Sequence, residues 1–196
     1  MPSFNNGIFS NILTSVDAIS ANDIWAVGYS MEQNAPASQT RTLTVHWDGS
    51  SWSVVPSGFF NQLTSVSAVS SNDVWAVGSN GLYHIVVHWD GSSWSEALIP
   101  EPANNEIHLT SIDAISANDV WAVGYYESLT VGGTVPLMLH WDGTQWSMIE
   151  RDWGTAPDFL YAVAGVSATD VWAGGYNYTE SAFFVRYSDP CARTSP

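Results

Sequence analysis

Along residues 42–47 the apolar side chains of Leu43, Val45 and Trp47 alternate with Thr44 and His46, the period of two that marks a half-buried strand. The neighbouring segments read the same way. Thr14–Ser20 is short and rich in β-branched and small residues, Ile24–Tyr29 is a short apolar run, and Ser51–Val55 completes a set of four predicted strands, A to D. Ala21-Asn22-Asp23 reads as a turn, because Asn and Asp side chains bond their own backbone and tolerate unusual dihedrals. Asp48-Gly49 reads as a tight hairpin dipeptide, since a type I′ turn needs positive φ at both central residues. Nothing in the chain shows a helical period with caps over three turns, so the pattern predicts an all-β protein.

This four-strand pattern recurs. The stretch Leu109-Thr-Ser-Ile-Asp-Ala-Ile-Ser-Ala-Asn-Asp-Val-Trp-Ala-Val-Gly124 has near-copies at Leu13–Gly28 and Leu63–Gly78 and a worn copy at Leu160–Gly175. Its marker tryptophans, Trp25, Trp75, Trp121 and Trp172, are spaced 50, 46 and 51 residues apart. The first three copies are followed by His46-Trp-Asp-Gly-Ser-Ser-Trp52, His88-Trp-Asp-Gly-Ser-Ser-Trp94 and His140-Trp-Asp-Gly-Thr-Gln-Trp146. Four short antiparallel strands in a unit of about 40–50 residues are the mark of a propeller blade. The expected fold is therefore a β-propeller of four-stranded antiparallel blades, with about four blades in this chain. It forms one domain over 1–196, with blades near 13–55, 63–99, 109–150 and 160–196.

The pattern Asn-Asp-[Val/Ile]-Trp-Ala-Val-Gly followed by His-Trp-Asp-Gly-x-x-Trp resembles bacterial β-propeller repeats of the kelch, sialidase and photosystem-assembly-factor type. Asp-Gly-Ser-Ser-Trp is one residue tighter than the sialidase Asp-box, Ser/Thr-x-Asp-x-Gly-x-x-Trp, and so resembles it in role only. The resemblance covers nearly the whole chain and implies the fold. It says little about activity, because propellers host lectins, hydrolases, scaffolds and assembly factors.

At the ends the pattern thins. Met1–Phe9 resembles the linker Val55–Phe60 that follows a D strand, and Phe184–Asp189 stands where strand C should be but lacks Trp-Asp-Gly. The last blade thus lacks a clear outer strand, and an unpaired blade edge invites pairing with another chain. Three arrangements fit, with a slight preference for the first: a closed four-blade ring, a ring completed by a second chain, or part of a longer parent.

Charge narrows the partners. The chain has four Lys and Arg together, all of them arginine, against 19 acidic residues, a net charge of −15. Such a surface repels phosphate backbones and anionic membranes, so neither nucleic acid nor membrane is an expected partner. The acidity suits an extracellular or cell-surface life and is compatible with weak calcium binding, although no liganding pattern specifies calcium and no cofactor is expected. No run approaches the roughly 18 apolar residues of a membrane helix, and Met1 leads into repeat-like sequence without a basic-then-apolar segment. The one cysteine, Cys191, cannot form an internal disulfide. Asn177-Tyr178-Thr179 is a formal glycosylation triplet of a kind that arises often by chance.

In an antiparallel blade the A–B and C–D turns lie at one face of the propeller and the B–C and D–A connections at the other. The first set is nearly uniform here and reads as turn chemistry; the second varies in length and content, and loops on a rigid scaffold carry function. The candidate ligand-binding residues are therefore Tyr29, Phe59, Phe60, Tyr125, Tyr126, Trp153, Tyr176 and Tyr178, with Arg41, Arg151, Asp152 and Asp158. Flat aromatics beside hydrogen-bonding side chains suit a sugar, whose C–H faces stack and whose hydroxyls pair. Trp153 is the best single candidate, lying outside the repeat; a packing role for several of the others is the better supported reading.

The remaining conspicuous residues read as structural. Trp25, Trp75, Trp121, Trp172, Trp47, Trp89, Trp141, Trp52, Trp94 and Trp146 occupy repeat positions and are expected to fill the wedges between blades. Asp48-Gly49, Asp90-Gly91 and Asp142-Gly143 are hairpin residues, and Asp23, Asp73, Asp119 and Asp170 are assigned to turns. His46, His88 and His140 recur once per blade, and sheets about 10 Å apart cannot share an ion bound at about 2.1 Å. A structural bond to a nearby Asp or a backbone group is expected instead, and isolated His84 and His108 are assigned nothing. Asp17 and Asp113 stand at matching positions on inner strands and would serve a glycosidase as a carboxylate pair, but pairing with backbone or serine groups is the better reading. No catalytic or metal residues are assigned. The expected function is non-enzymatic recognition or scaffolding of a glycan or a protein. The rivals are a self-assembling unit whose end blades pair between chains, and a glycoside hydrolase.

Overall fold

Fifteen strands pair into four antiparallel sheets in strict chain order in the computed structural model, which describes residues 10–31, 39–81, 83–102, 106–128, 132–151, 158–177, 179 and 181–188. The first blade is β1 (Ser10–Ser20), β2 (Asp23–Met31), β3 (Arg41–Trp47) and β4 (Trp52–Val54). The second is β5 (Leu63–Ser70), β6 (Asp73–Ser79), β7 (His84–Trp89) and β8 (Trp94–Glu96). The third is β9 (Ile107–Ser116), β10 (Asp119–Ser128), β11 (Gly133–Trp141) and β12 (Trp146–Met148). The fourth has three described strands, β13 (Asp158–Ser167), β14 (Asp170–Asn177) and β15 (Ala182–Tyr187). The architecture is a β-propeller of four blades, the last without a described outer strand.

Each inner strand carries a bulge at the same place. Pairing passes from Leu13 opposite Gly28 to Ser15 opposite Val27, so Thr14 is the extra residue; Thr64, Thr110 and Tyr161 hold that position in the other blades. The bulge brings the inner strand against its partner, and only glycine fits there. An ideal Cβ on Gly28, Gly78, Gly124 or Gly175 would lie 1.9, 1.9, 1.9 or 1.7 Å from the facing carbonyl oxygen. The extra threonine is put to use. Thr14 Oγ1 lies 3.1 Å from Val27 O in its own blade and 2.7 Å from Leu63 O in the next.

Two turn assignments are corrected. The C–D connections are not two-residue Asp-Gly loops of type I′: Asp48 N donates to Ser51 O at 3.3 Å, so the residues between the bonded pair are Gly49 and Ser50. Gly49, Gly91 and Gly143 hold φ of 92°, 94° and 92°, while Asp48, Asp90 and Asp142 act through their side chains. The Asp48 carboxylate accepts from Ser50 N and Ser51 N, both at 2.8 Å, and from Ser50 Oγ at 2.7 Å. These hydrogen bonds, that from the Ser50 hydroxyl foremost, hold its pKa at about 2. Asp23, Asp73 and Asp119 are likewise more than turn residues. Each begins the second strand of its blade and receives His46, His88 or His140 Nε2 at 2.8, 2.8 or 2.9 Å. Asp73 and Asp119 also accept Trp75 and Trp121 Nε1, at 3.0 and 2.8 Å. In the fourth blade Asp170 pairs with Arg186 Nε at 2.7 Å.

Most of the core lies between blades; a smaller cluster, Ala26, Leu43 and Val45 with Trp52, belongs to the first blade alone. Trp25 and Val27 pack against Leu63, Val74 and Trp94; Trp75 and Val77 against Leu109, Val120 and Trp146; Trp121 and Val123 against Leu160 and Val171. Polar clamps accompany each junction: Ser15 Oγ and Asp17 Oδ2 accept Val66 N and Ala68 N at 3.2 and 2.8 Å. Ser65 and Ser67 accept Ile112 N and Ala114 N, and Ser111 and Asp113 accept Val163 N and Gly165 N. The Asp17 and Asp113 carboxylates are thus engaged by the backbone of the next blade.

The four blades form an open arc. Among the described residues, β1 and β5, β5 and β9, and β9 and β13 pack closely against one another, and no comparable packing joins β13 to β1. Leu13 on the first blade is 53% exposed while its counterparts Leu63, Leu109 and Leu160 are 0–1% exposed. Trp172 on the fourth is 43% exposed against 0–2% for Trp25, Trp75 and Trp121. The closed single-chain ring is therefore not the arrangement observed, and Trp172 is not a core residue. The wedge-filling tryptophan needs a following blade, and none of the described residues covers Trp172 as the next blade covers Trp25, Trp75 and Trp121.

Candidate functional site

At one end of its strands the second blade builds a pocket of about 450 Å³ with its neighbours. Its wall is made by Phe59 and Phe60 from the connection leading into β5, and by Tyr83 and His84 at the start of β7. Glu96, Leu98 and Glu101 contribute from the connection leading out of β8, with Glu106 just before β9. Phe60 and Tyr83 are 50% and 66% exposed, so the aromatic surface faces solvent.

The pocket is held by backbone-directed side chains. Asn61, buried, donates through Nδ2 to Tyr83 O at 3.1 Å and accepts Gln62 N at 2.8 Å. Asn80 Oδ1 accepts Tyr83 N at 2.9 Å, and Asn80 N donates to Tyr83 O at 3.1 Å, closing the short turn that contains Gly81 at φ 89°. Tyr83 is thus fixed from two sides. Phe60 bridges to Arg41 on β3, whose guanidinium carbon lies 4.4 Å from the Phe60 ring centroid. Thr42 N donates to Phe59 O at 3.2 Å, so the loop between the first two blades is pinned to a strand along its length.

Electrostatics give the pocket an acidic rim. His84 Nε2 stands 3.4 Å from Glu101 Oε1. Burial pushes the His84 imidazole below its usual range, outweighing the opposite pull of Glu101 and Glu96, so the ring is neutral at pH 7. Neutral His84 leaves the charges of Glu96, Glu101 and Glu106 uncancelled within the lining. Such a surface offers hydrogen-bond acceptors to hydroxyls or to cations, and flat rings to apolar C–H faces.

A second group gathers between the third and fourth blades. Tyr125 stacks on His108 with centroids 4.7 Å apart and meets Phe159 edge-on at 4.8 Å; Tyr161 stacks on Tyr176 at 5.4 Å and 4°. Burial foremost pushes the Tyr161 phenol well above the usual range, with the neighbouring Tyr176 and Tyr125 adding to the shift. Burial raises Tyr125 as well. Neither phenol ionises near neutral pH, so the cluster presents neutral hydroxyls. Beside the aromatics, His108 Nε2 and Asp158 Oδ1 are buried without a partner, and burial raises the Asp158 carboxyl.

Of the residues singled out from the sequence, Phe59 and Phe60 line the pocket, with Arg41 behind them, and Tyr125 and Tyr176 join the tyrosine cluster. Tyr126 packs on the apolar core of the second and third blades, and Tyr29 is half-buried in β2 opposite Thr42. Arg151 is exposed, its Nη1 3.5 Å from Arg186 O. Asp152, Trp153 and Tyr178 lie outside the described residues. Sequence reasoning missed Tyr83, His84, Glu96, Glu101, Glu106 and Tyr161. A signal existed for two of them in departures from the repeat. Glu96 stands where the first and third blades have Val54 and Met148, and Tyr161 where three blades have threonine.

No family model matches the chain, and no curated relative does. Among solved structures it is similar to "YCF48 bound to D1 peptide", at 16% identity and a TM-score of 0.42, over 88% of this chain and 66% of that one. The chain therefore spans just under two thirds of that protein's length. It is also similar to YCF48 from Cyanidioschyzon merolae, at 16% identity and a TM-score of 0.41, over 94% of this chain and 73% of that one. A third likeness is a fucose lectin from Kordia zhangzhouensis in complex with methyl-fucoside, at 17% identity and a TM-score of 0.41, over 70% of this chain and 97% of that one.

Proposed function

We propose that this chain is a non-catalytic recognition module, acting outside the cytoplasm, that binds a glycan in the pocket on its variable-loop face. One observation carries the reading: exposed Phe60 and Tyr83 stand in the same pocket as Glu96, Glu101 and Glu106. The rings stack on sugar C–H faces while the carboxylates accept from hydroxyls. The volume suits a few sugar units, since small-molecule sites span roughly 300–1,000 Å³. Asn61 and Asn80 hold the Tyr83 backbone in place before any ligand arrives, which lowers part of the ordering cost of binding. The acidic rim favours a second reading, capture of a Lys or Arg side chain from a protein partner.

The test is a broad glycan array, followed by calorimetry on the best hit with the wild type and Tyr83→Ala. Tyr83 lies outside the buried core, so its removal leaves the fold in place. Saturable sugar binding that Tyr83→Ala weakens at least tenfold supports the glycan reading. A silent array, with Tyr83-dependent binding of Lys- and Arg-containing peptides, supports the protein reading instead. Sugar binding unaffected by Tyr83→Ala would move recognition away from this pocket.

A further inference from the structure

The pocket and the tyrosine cluster stand on opposite faces of the third blade, at the same end of its strands. Ile107, the first residue of β9, is paired with Tyr126, and both pack into the core shared with the second blade. Ile107 also lines the pocket. The next pair along is His108 with Tyr125, stacked at 4.7 Å, and Tyr125 meets Phe159 of the fourth blade. Successive strand residues point to opposite faces, so residues 107 and 108 belong one to each group. The third blade is a partition one sheet thick between the two.

The tyrosines are not what closes the junction they border. Thr110 Oγ1 donates to Leu160 O at 2.9 Å, and Ser111 and Asp113 accept Val163 N and Gly165 N, as at the two earlier junctions. Trp121, Val123, Leu160 and Val171 fill its apolar part. Tyr161 and Tyr176 are additional to that set. From Tyr125 the rings run on to Tyr161 at 6.2 Å and from Tyr161 to Tyr176 at 5.4 Å, the last two within 4° of parallel. Tyr161 and Tyr176 are 43% and 41% exposed. A threonine holds the Tyr161 position in the other three blades, so this surface is a departure from the repeat. Flat rings suit the C–H faces of a sugar, and phenol hydroxyls both donate and accept.

We propose that the ligand of the pocket is a glycan chain of several units, which crosses the end of the third blade and lays its further units on Tyr161 and Tyr176. This rests on the glycan reading of the pocket and extends it to a second subsite. The span to be crossed is that of one sheet, with stacked sheets about 10 Å apart, more than a single sugar ring covers. A chain held in the pocket meets the tyrosines as an intramolecular event, at an effective concentration set by its length and stiffness. A glycan too short to cross meets the pocket alone. Affinity therefore rises in a step with chain length rather than evenly with each unit.

The experiment is an array of gluco-, manno-, xylo- and galacto-oligosaccharides, each printed as a length series from a single sugar upward, followed by calorimetry on the series that binds. Wild type is compared with Tyr83→Ala, Tyr161→Thr and Tyr176→Ala, each checked for an unchanged fold by circular dichroism. Tyr161→Thr installs the residue that the other three blades carry, so it keeps the junction while removing the ring. Long chains should bind the wild type at least tenfold tighter than short ones. Tyr161→Thr and Tyr176→Ala should each remove most of that gain and leave short chains unaffected, whereas Tyr83→Ala should weaken both. Tyr83-dependent binding that ignores chain length, or long-chain binding that neither tyrosine variant changes, overturns the proposal and leaves the pocket reading standing. Binding that needs Tyr161 but not Tyr83, or silence across every series, overturns both.

Discussion

Replacing Gly124 with alanine tests whether the bulge, rather than strand propensity, fixes the glycine of each Trp-Ala-Val-Gly segment. The added methyl would lie 1.9 Å from His108 O, 2.9 Å from His108 C and 3.1 Å from Leu109 Cα. All three are backbone atoms of the paired strand. Normal carbon–carbon contact is about 3.5–4.0 Å, so the strands must part by more than an ångström, and no side-chain rotation relieves the clash. The neighbouring Leu109 is fully buried, and Thr110 carries the clamp to Leu160 O at 2.9 Å. Parting the strands therefore disturbs the junction between the third and fourth blades as well. Overpacking typically costs about 1–3 kcal/mol; with backbone on both sides the expected loss is about 3–5 kcal/mol, close to the largest single-residue effects. For a chain of this size that lowers Tm by roughly 6–20 °C. Gly132→Ala is the control. It holds φ at 71°, with no heavy atom within 4 Å of an added Cβ, so only the left-handed backbone penalty of about 1–2 kcal/mol applies. Urea and thermal unfolding followed by circular dichroism would compare the two. A Gly124→Ala loss no larger than that of Gly132→Ala would refute the steric argument.

Two further outcomes follow from the internal repeats. Asp119→Ala should cost about 1–3 kcal/mol more than Asp23→Ala in urea unfolding, because it orphans the buried Trp121 Nε1, whereas Trp25 Nε1 has no partner to lose. Because Asp23 also accepts Ser71 Oγ, the comparison is made in a Ser71→Ala background, where equal losses would mean that the indole bond contributes nothing. The hairpin aspartates Asp48, Asp90 and Asp142 each have a folded pKa of about 2, below the ordinary 3.8. The unfolded chain binds more protons between those values, so their stabilisation is present above about pH 3.8 and declines as pH falls toward 2. Carboxylate titration by NMR should find Asp48, Asp90 and Asp142 ionising near pH 2, and values near 3.8 for them would contradict the hairpin geometry.

Most of the fold was legible because it is written several times over. The alternation in Thr42–Trp47 recurs in His84–Trp89 and Gly133–Trp141, and each copy constrains the others. Turn detail was less legible, since Asp-Gly has the same spelling whether the aspartate uses its backbone or its carboxylate. The neighbours decide. In the first two copies serines follow the glycine, and in the third Thr144 and Gln145; their N–H groups reach the Asp side chain at 2.8–2.9 Å and draw it into the turn. The histidines were expected to bond a nearby Asp or a backbone group, and the choice of aspartate follows from strand register: His46 lies opposite Trp25, two residues after Asp23.

Closure of the arc was not legible, because a repeat gives the number of blades but not the angle between them. The ends nevertheless differ in a way the sequence does record. Thr110, Ser111 and Asp113 clamp the fourth blade, and the fourth blade answers with Tyr161, Ala162 and Ala164, which have nothing to offer a fifth. The pocket follows the same logic. Positions that obey the repeat are committed to packing, so Trp75, Trp121, Asp73 and Asp119 are unavailable to a ligand. Positions that depart from it, such as Glu96 in place of Val54 or Met148, are released from that duty. Tyr161 gives up a clamp and joins an aromatic cluster; Glu96 gives up the apolar contact that Met148 makes in the third blade and faces the pocket. In a repeat protein the residues free to bind are those that have stopped repeating.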